Sequence, residues 1–236
     1  MWLQNHLQSL TLEEGHEDYL LGRAMPEWMQ GPLKPKTWSP LPIPVEADGW
    51  SDMGAKGQGE YLDGRLILPL WSPRGALLGF ESRTERKKII KYFLPEADWS
   101  PTFVGMSPLV MERLWAGGDL WLAEGFFDVF PLWHILPSTD AVLGTLTAKL
   151  SRRHLDFCVR FCRGWVHVVY DNDDAGRKGA HTWVNKDGRK VWGAVEKLRH
   201  AGLKARSIPY DGKDPGEVWS NFGLPGLRTA FAPFLR

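Results

Sequence analysis

Cysteine is scarce. The chain of 236 residues has two, Cys158 and Cys162. Two thiols exclude a disulfide framework and a four-cysteine zinc site, so no zinc is expected. Spaced i, i+4 on an expected helix, they read as buried structural thiols. Long apolar runs are missing too. None reaches the ~18 residues a membrane span needs, and Met1 opens no charged-then-apolar leader. The expectation is a cytoplasmic protein with no membrane contact. Charge of one sign is also lacking: Lys and Arg number 29 against 28 Asp and Glu, a net charge of +1. Bulk charge therefore announces no nucleic-acid binder, and any such surface must come from local patches.

What is present is a globular composition, 43% hydrophobic and 24% charged. The length suits one large domain or two small ones and allows an ample core. Tryptophan is abundant, with 13 residues. Core packing could absorb them, and so could base stacking; composition does not choose.

The first half mixes elements. Leu12, Tyr19, Leu20, Met25, Trp28 and Met29 give residues 11–30 a helical pattern, with Pro26 at a new first turn. Residues 31–44 carry Pro32, Pro35, Pro40, Pro42 and Pro44, which forbids a helix and favours an extended linker or a wrapped strap. Residues 45–60 read as loop. Residues 65–70 and 76–83 form a hairpin around the turn Pro73-Arg74-Gly75, and residues 89–93 add a third strand. Arg83, Arg86, Lys87, Lys88 and Lys91 surround a charged tip at 84–88. Such a tip is either solvated surface or a contact for phosphates.

Gly117-Gly118 breaks the chain, and the pattern becomes strands alternating with helices. Strands are expected at 120–123, 141–143, 165–170 and 203–208. Helices are expected at 126–136, from Ser151 through Arg163 with Leu155, Cys158, Val159 and Cys162 on the apolar face, from near Ala175, and at 191–200. This alternation indicates βαβ units and a parallel sheet. The division is residues 1–117, a basic α+β subdomain containing the Pro-rich segment 31–44, and residues 118–236, an α/β domain with a short tail.

The strand ends carry the chemistry. The first expected strand ends at Glu124, the second at Gly144-Thr145, the third at Asp171-Asn172-Asp173, and Lys213-Asp214-Pro215 follows the fourth. In a parallel sheet these ends share one edge. Acids at one strand end can simply be solvated. Several crowded on one edge repel each other unless a cation binds, and Mg²⁺ is the natural partner of carboxylates and phosphates. Such a site suits phosphoryl transfer.

Leu122-Ala123-Glu124-Gly125-Phe126-Phe127-Asp128-Val129, Leu143-Gly144-Thr145 and Tyr170-Asp171-Asn172-Asp173-Asp174-Ala175-Gly176-Arg177 resemble the Toprim domain of bacterial DnaG-type primases. Lys213-Asp214-Pro215 is similar to a later motif of that family. Upstream, Tyr19-Leu20-Leu21-Gly22-Arg23, residues 64–70, Arg74-Gly75, Leu78-Gly79-Phe80 and Lys91-Tyr92 follow the primase core in order. The resemblance covers about residues 15–218.

It implies a Toprim fold: a central, mostly parallel four-stranded sheet flanked by helices, preceded by a smaller α+β subdomain. It implies a DNA-directed RNA polymerase that makes RNA primers on single-stranded DNA by metal-dependent nucleotidyl transfer. Glu124, Asp171 and Asp173 would be catalytic and would hold Mg²⁺ or Mn²⁺, with Asp214 assisting. Arg65, Arg83 and Lys91 would bind nucleotide or template. Asp128, Gly144, Thr145, Gly176, Arg177 and Lys213 would support the site, Asp128 by orienting its neighbours. Single-stranded template and ribonucleoside triphosphates would be the substrates, a helicase or other replication protein the partner, and the cytoplasm of a bacterial cell the setting; the chain's size suggests a phage or mobile-element replication system.

The sequence departs from the family in three places. Gly216 stands where the family has an acid, with Glu217 next; Phe93-Leu94-Pro95-Glu96 replaces a family loop; and residues 181–192 read as an insertion. Asp174 is expected to start a helix rather than extend the acid pair. The missing zinc module and C-terminal extension make the chain read as a bare catalytic core. Alternatives are a Toprim nuclease or nickase, and a non-catalytic protein that binds single-stranded DNA.

Overall fold

The computed structural model describes residue 11 and residues 14–25, 36–37, 65–83, 90–93 and 102–235. The expected helix from Pro26, nearly all of the Pro-rich strap, the loop at 45–60 and the charged tip at 84–88 lie outside the described residues. α1 is Glu14–Gly22. β1 (Lys36–Thr37), β2 (Leu66–Trp71), β3 (Leu77–Arg83) and β4 (Ile90–Phe93) make an antiparallel sheet in that order. β2 is a continuous apolar run because all six of its residues are buried. The turn after it is closed by Ser72, whose Oγ accepts the Ala76 N–H at 3.0 Å. Gly75 there takes φ +79°, a conformation that favours glycine.

α2 (Pro108–Trp115) leads into the second sheet. Its elements follow as β5 (Leu120–Ala123), α3 (Phe126–Trp133), β6 (Ala141–Gly144), α4 (Arg152–Phe161), β7 (Val166–Val168) and α5 (Asp174–Ala180). A hairpin, β8 (Trp183–Val184) and β9 (Lys190–Val191), precedes α6 (Ala194–His200), β10 (Ala205–Ser207) and α7 (Pro215–Phe231). Strands β10-β7-β5-β6 lie side by side, all parallel. The fold is therefore the one expected: a parallel four-stranded sheet between helices, after a smaller α+β part.

Alternation along β5 divides the core. Leu120 and Leu122 face a cluster with Val110, Leu114, Phe157, Cys158 and Leu198, from α2, α4 and α6. Trp121 and Ala123 face the other, with Phe126, Phe130, Leu227 and Phe231 from α3 and α7. That second cluster also takes in Leu20 of α1 and Leu66, Leu68 and Leu70 of β2. The antiparallel sheet thus shares a core with one face of the parallel sheet.

Three local expectations change. On α4, Val159 is exposed, and the buried residues are His154, Phe157 and Cys158. Phe157 lies three residues after His154, so the apolar stripe is rotated away from Val159. Val191 belongs to β9, and the helix after it begins only at Ala194. Helix α3 stops at Trp133 rather than continuing to 136. The segment 181–192 is the β8–β9 hairpin, a small unit of its own.

Candidate metal centre

Parallel strands β5, β6, β7 and β10 end on one edge, and each end is followed by a loop. β5 delivers Glu124 and, through the first turn of α3, Asp128. The loop after β7 delivers Asp171, and the start of α7 delivers Asp214. One carboxylate oxygen from each of Asp128, Asp171 and Asp214 lies within 4.8 Å of the others. Glu124 is next to them: its Oε1 accepts the Asp171 N–H at 3.1 Å.

Burial and mutual repulsion show in the acidities. Burial first, then Asp171 and Asp214, push Asp128 up to about 8. Burial, then Asp171, raises Glu124 to about 7, and burial, then Asp214 and Asp173, raises Asp171 to about 6. Glu124, Asp128 and Asp171, held this close without a cation, all lose their protons well above the ordinary carboxylate range. Asp171 Oδ1 is buried with no hydrogen-bond partner among the described residues. An orphaned carboxylate oxygen in a cluster of acids fits a divalent cation, which would both satisfy the oxygen and offset the repulsion.

The remaining acids are used locally. Asp173 caps α5: its Oδ1 accepts the N–H groups of Ala175 and Gly176, both at 2.9 Å. Those bonds, the Gly176 one first, hold its pKa below the ordinary carboxylate value. Asp174 begins α5 and pairs with Arg177 Nη2 at 2.6 Å, so it is a helix-start acid. Arg177 also donates to the Asn172 carbonyl at 2.8 Å, tying the helix to the loop. Asp214 Oδ1 caps α7 by accepting the Glu217 N–H, and Glu217 Oε2 accepts the Lys213 N–H at 2.9 Å. Lys213 Nζ stands 3.8 Å from Asp214 Oδ2. Glu217 is therefore a capping residue and not a replacement for the family's acid. At Gly216 a Cβ would lie 2.5 Å from the Phe127 carbonyl oxygen, so no side chain fits there without a shift.

Small and hydroxyl residues set the spacing. A Cβ on Gly176 would lie 2.0 Å from the Asp171 carbonyl oxygen, and one on Gly144 would lie 2.9 Å from Val104 Cβ. Thr145 is buried and donates its hydroxyl to the Thr147 carbonyl at 2.7 Å, beside the Ala123 carbonyl and the Tyr170 hydroxyl. Tyr210 Oη lies 3.2 Å from the carbonyls of both Tyr170 and Lys213, bridging the two acid-bearing loops.

The basic residues divide. Arg83 donates Nε to Glu81 Oε1 at 2.7 Å, and its guanidinium lies 4.4 Å from the Phe127 ring centroid, beside the Gly125 loop. Arg65 is 4% exposed and donates to the Ser82 carbonyl, so it lies against the sheet. Lys91 pairs with Glu81 through the β3–β4 register, and its side chain lies outside the described residues. Arg23 was missed by sequence reasoning: its guanidinium sits 5.3 Å from the same Phe127 ring. The signal was available, since Arg23 ends the Tyr-Leu-Leu-Gly-Arg motif. Asp128 was expected to orient its neighbours. It does accept the Gly125 N–H at 2.9 Å, and it also stands in the cluster. Its place in the first turn of the helix after Glu124 was the available cue.

A family model described as Toprim-like matches residues 121–219, the span holding all these acids. Among curated proteins the chain is similar to the DNA primase of Aquifex aeolicus, 26% identical over 174 residues (70% of this chain, 31% of that protein). It is likewise similar to the DNA primase of Mycobacterium tuberculosis, 28% identical over 201 residues (80% and 29%). The chain carries a Toprim-like domain and is similar to bacterial DNA primases over 70–80% of its length.

The chain spans less than a third of the length of those curated relatives. Its fold matches the crystal structure of the Aquifex aeolicus primase zinc-binding and RNA polymerase domains at TM-score 0.65 and 20% identity, covering 94% of this chain and 56% of that one. It also matches a DnaG primase catalytic domain bound to ssDNA at TM-score 0.62 and 18% identity, covering 93% and 71%. A third match is the primase fragment of the bacteriophage T7 primase-helicase protein, at TM-score 0.50 and 17% identity, covering 70% and 62%. Among the described residues, no helix is long and apolar enough to cross a membrane.

Proposed function

We propose that this core synthesises short RNA primers on single-stranded DNA, as a DNA-directed RNA polymerase. The observation that carries the reading is the cluster of Asp128, Asp171 and Asp214 at the carboxyl edge of the parallel sheet. The antiparallel half, packed on the same core, supports a polymerase over a nuclease, because that half follows the primase motifs. In the reaction a primer 3′-oxygen forms a bond to the α-phosphorus of a ribonucleoside triphosphate, and the bond to the β-phosphate oxygen breaks, releasing pyrophosphate.

Asp128, Asp171 and Asp214 would hold the cation, with Glu124 and Asp173 flanking them. Bound Mg²⁺ (or Mn²⁺) would polarise the attacking hydroxyl and neutralise charge on the phosphates. The chain's own residues do the rest. Glu124, raised to about 7, can exchange a proton near neutral pH beside the reacting atoms. Arg83, fixed by Glu81 and Phe127, presents a guanidinium at the rim, where it would meet the triphosphate or the template backbone. Lys91 would act from β4 on the same anions, while Arg65 would support the strand pair from beneath. Gly176 and Arg177 keep the Asp171 loop against α5.

Template selection would come from a partner, a helicase or other replication protein. A primer assay with labelled ribonucleotides, a single-stranded template and Mg²⁺ or Mn²⁺ tests the reading, with and without helicase. Short RNA products that vanish in Asp171→Ala are expected. Nicked plasmid without primers would replace this function by that of a nuclease, and template binding with no product under any condition would leave a binding protein.

A further inference from the structure

The β8–β9 hairpin takes no part in the acidic site, yet it is a built and exposed unit. Its turn is fixed by Asn185, whose Oδ1 accepts the N–H groups of Asp187 at 3.1 Å and Arg189 at 2.8 Å. Its root is closed by Gly193, where a Cβ would lie 2.4 Å from the His181 nitrogen. Three exposed large hydrophobics stand on this short segment: Val184, Val191 and Trp192, at 59%, 36% and 44% exposure. Trp192 meets the His200 ring edge-on at 4.6 Å, which steadies the indole. Lys178 Nζ lies 5.5 Å from the Trp183 ring centroid. Residues 178–192 hold Lys178, Lys186, Arg189 and Lys190 against the single acid Asp187, in a chain whose net charge is only +1.

The location matters as much as the chemistry. α5 begins at the metal-site loop and has seven residues, so the hairpin root lies on the order of 10 Å from the acids. The adjoining loop brings more positive charge: Ala148 touches Gly179, and Lys149 adds its field at Lys197. A polyanion leaving the acidic edge along α5 would meet this basic, aromatic surface.

We propose that the β8–β9 hairpin is a second contact for single-stranded DNA, with Lys186, Arg189 and Lys190 on phosphates and Trp192 stacking on a base. An acidic peptide would use the lysines but gain little from a steadied indole, whereas bases stack on aromatic rings whatever their sequence. The identity of the strand as template rests on the primase reading; the contact itself does not.

The test is binding of a labelled 20-nucleotide oligodeoxynucleotide by the full chain, followed by anisotropy over a salt series. The triple variant Lys186→Glu, Arg189→Glu, Lys190→Glu is expected to bind at least tenfold more weakly, with a shallower dependence on salt. Trp192→Ala is expected to lose about fivefold or more, and Trp192→Phe to recover most of it. Asp187→Lys should tighten binding, a gain that misfolding cannot mimic. All five positions are exposed, and melting temperatures within a degree or two of the parent verify folding. Affinity unchanged within twofold in the triple variant and in Asp187→Lys overturns the proposal, as does tighter binding of an acidic peptide than of the oligonucleotide. If the parent makes no primers but binds through the hairpin, this inference stands and the primase reading fails. If primers are made and hairpin variants bind template as the parent does, the reverse holds.

Discussion

At the scale of single residues, the acidic cluster stores a conflict between stability and metal binding. In the folded protein Glu124, Asp128 and Asp171 keep their protons up to about 7, 8 and 6. In the unfolded chain such groups release them near pH 4. Between those values the folded state binds more protons, so stability that is fully present below about pH 4 is lost as pH rises through 6 to 8. The melting temperature of the metal-free protein should therefore fall from pH 5 to pH 8, and Mg²⁺ or Mn²⁺ should raise it more at pH 8 than at pH 5. Asp128→Asn keeps an acceptor for the Gly125 N–H and removes one acid. It should stabilise the metal-free protein at pH 8 by roughly 1–3 kcal/mol, while metal affinity and primer synthesis drop at least tenfold. Thermal melts with and without metal check both halves. A flat melting temperature across this pH range would mean the acids are not coupled as the geometry requires.

At the scale of elements, the start of α5 joins two kinds of constraint. Asp173→Ala removes two cap bonds and should cost about 1 kcal/mol in urea unfolding. Gly176→Ala should cost more, because its Cβ would sit 2.0 Å from backbone and force the Asp171 loop off the helix. If the two variants melt alike, the loop is not packed as described. These elements also mark what the sequence could and could not disclose. The βαβ alternation, the acids at strand ends and the helix start at Asp174 were legible, because period and capping chemistry are local. The approach of Asp128 to Asp214 was not, since it depends on how α3 and α7 pack. The helix expected from Val191 failed for a related reason: Trp183 and Val191 find each other across a hairpin, and that pairing outweighs the helical pattern.

At the scale of the whole molecule, the two sheets act as one body through a shared core. Leu20 of α1 is fully buried among residues of β2, α3 and α7. Leu20→Ala should destabilise the protein by about 2–5 kcal/mol and leave a single unfolding transition, read by tryptophan fluorescence and circular dichroism together. Two separated transitions would show that the halves fold independently. The same core explains how Arg23 and Arg83 reach the Phe127 ring beside the acids, although neither belongs to the parallel sheet. A resemblance in motif order pointed to both halves, but only the shared core shows why the basic residues of one stand at the rim of the other.

The tight seat of Gly216 limits how this arrangement can change. The Phe127 carbonyl oxygen lies 2.5 Å from where a side chain there would begin. An aspartate placed at that position would push the loop and helix apart instead of adding an oxygen to the acidic cluster. Glu217 next to it is already engaged, accepting the Lys213 N–H. Adding a carboxylate to this edge therefore requires moving α7 first, so changes to the three clustered acids themselves are the cheaper way to retune the site.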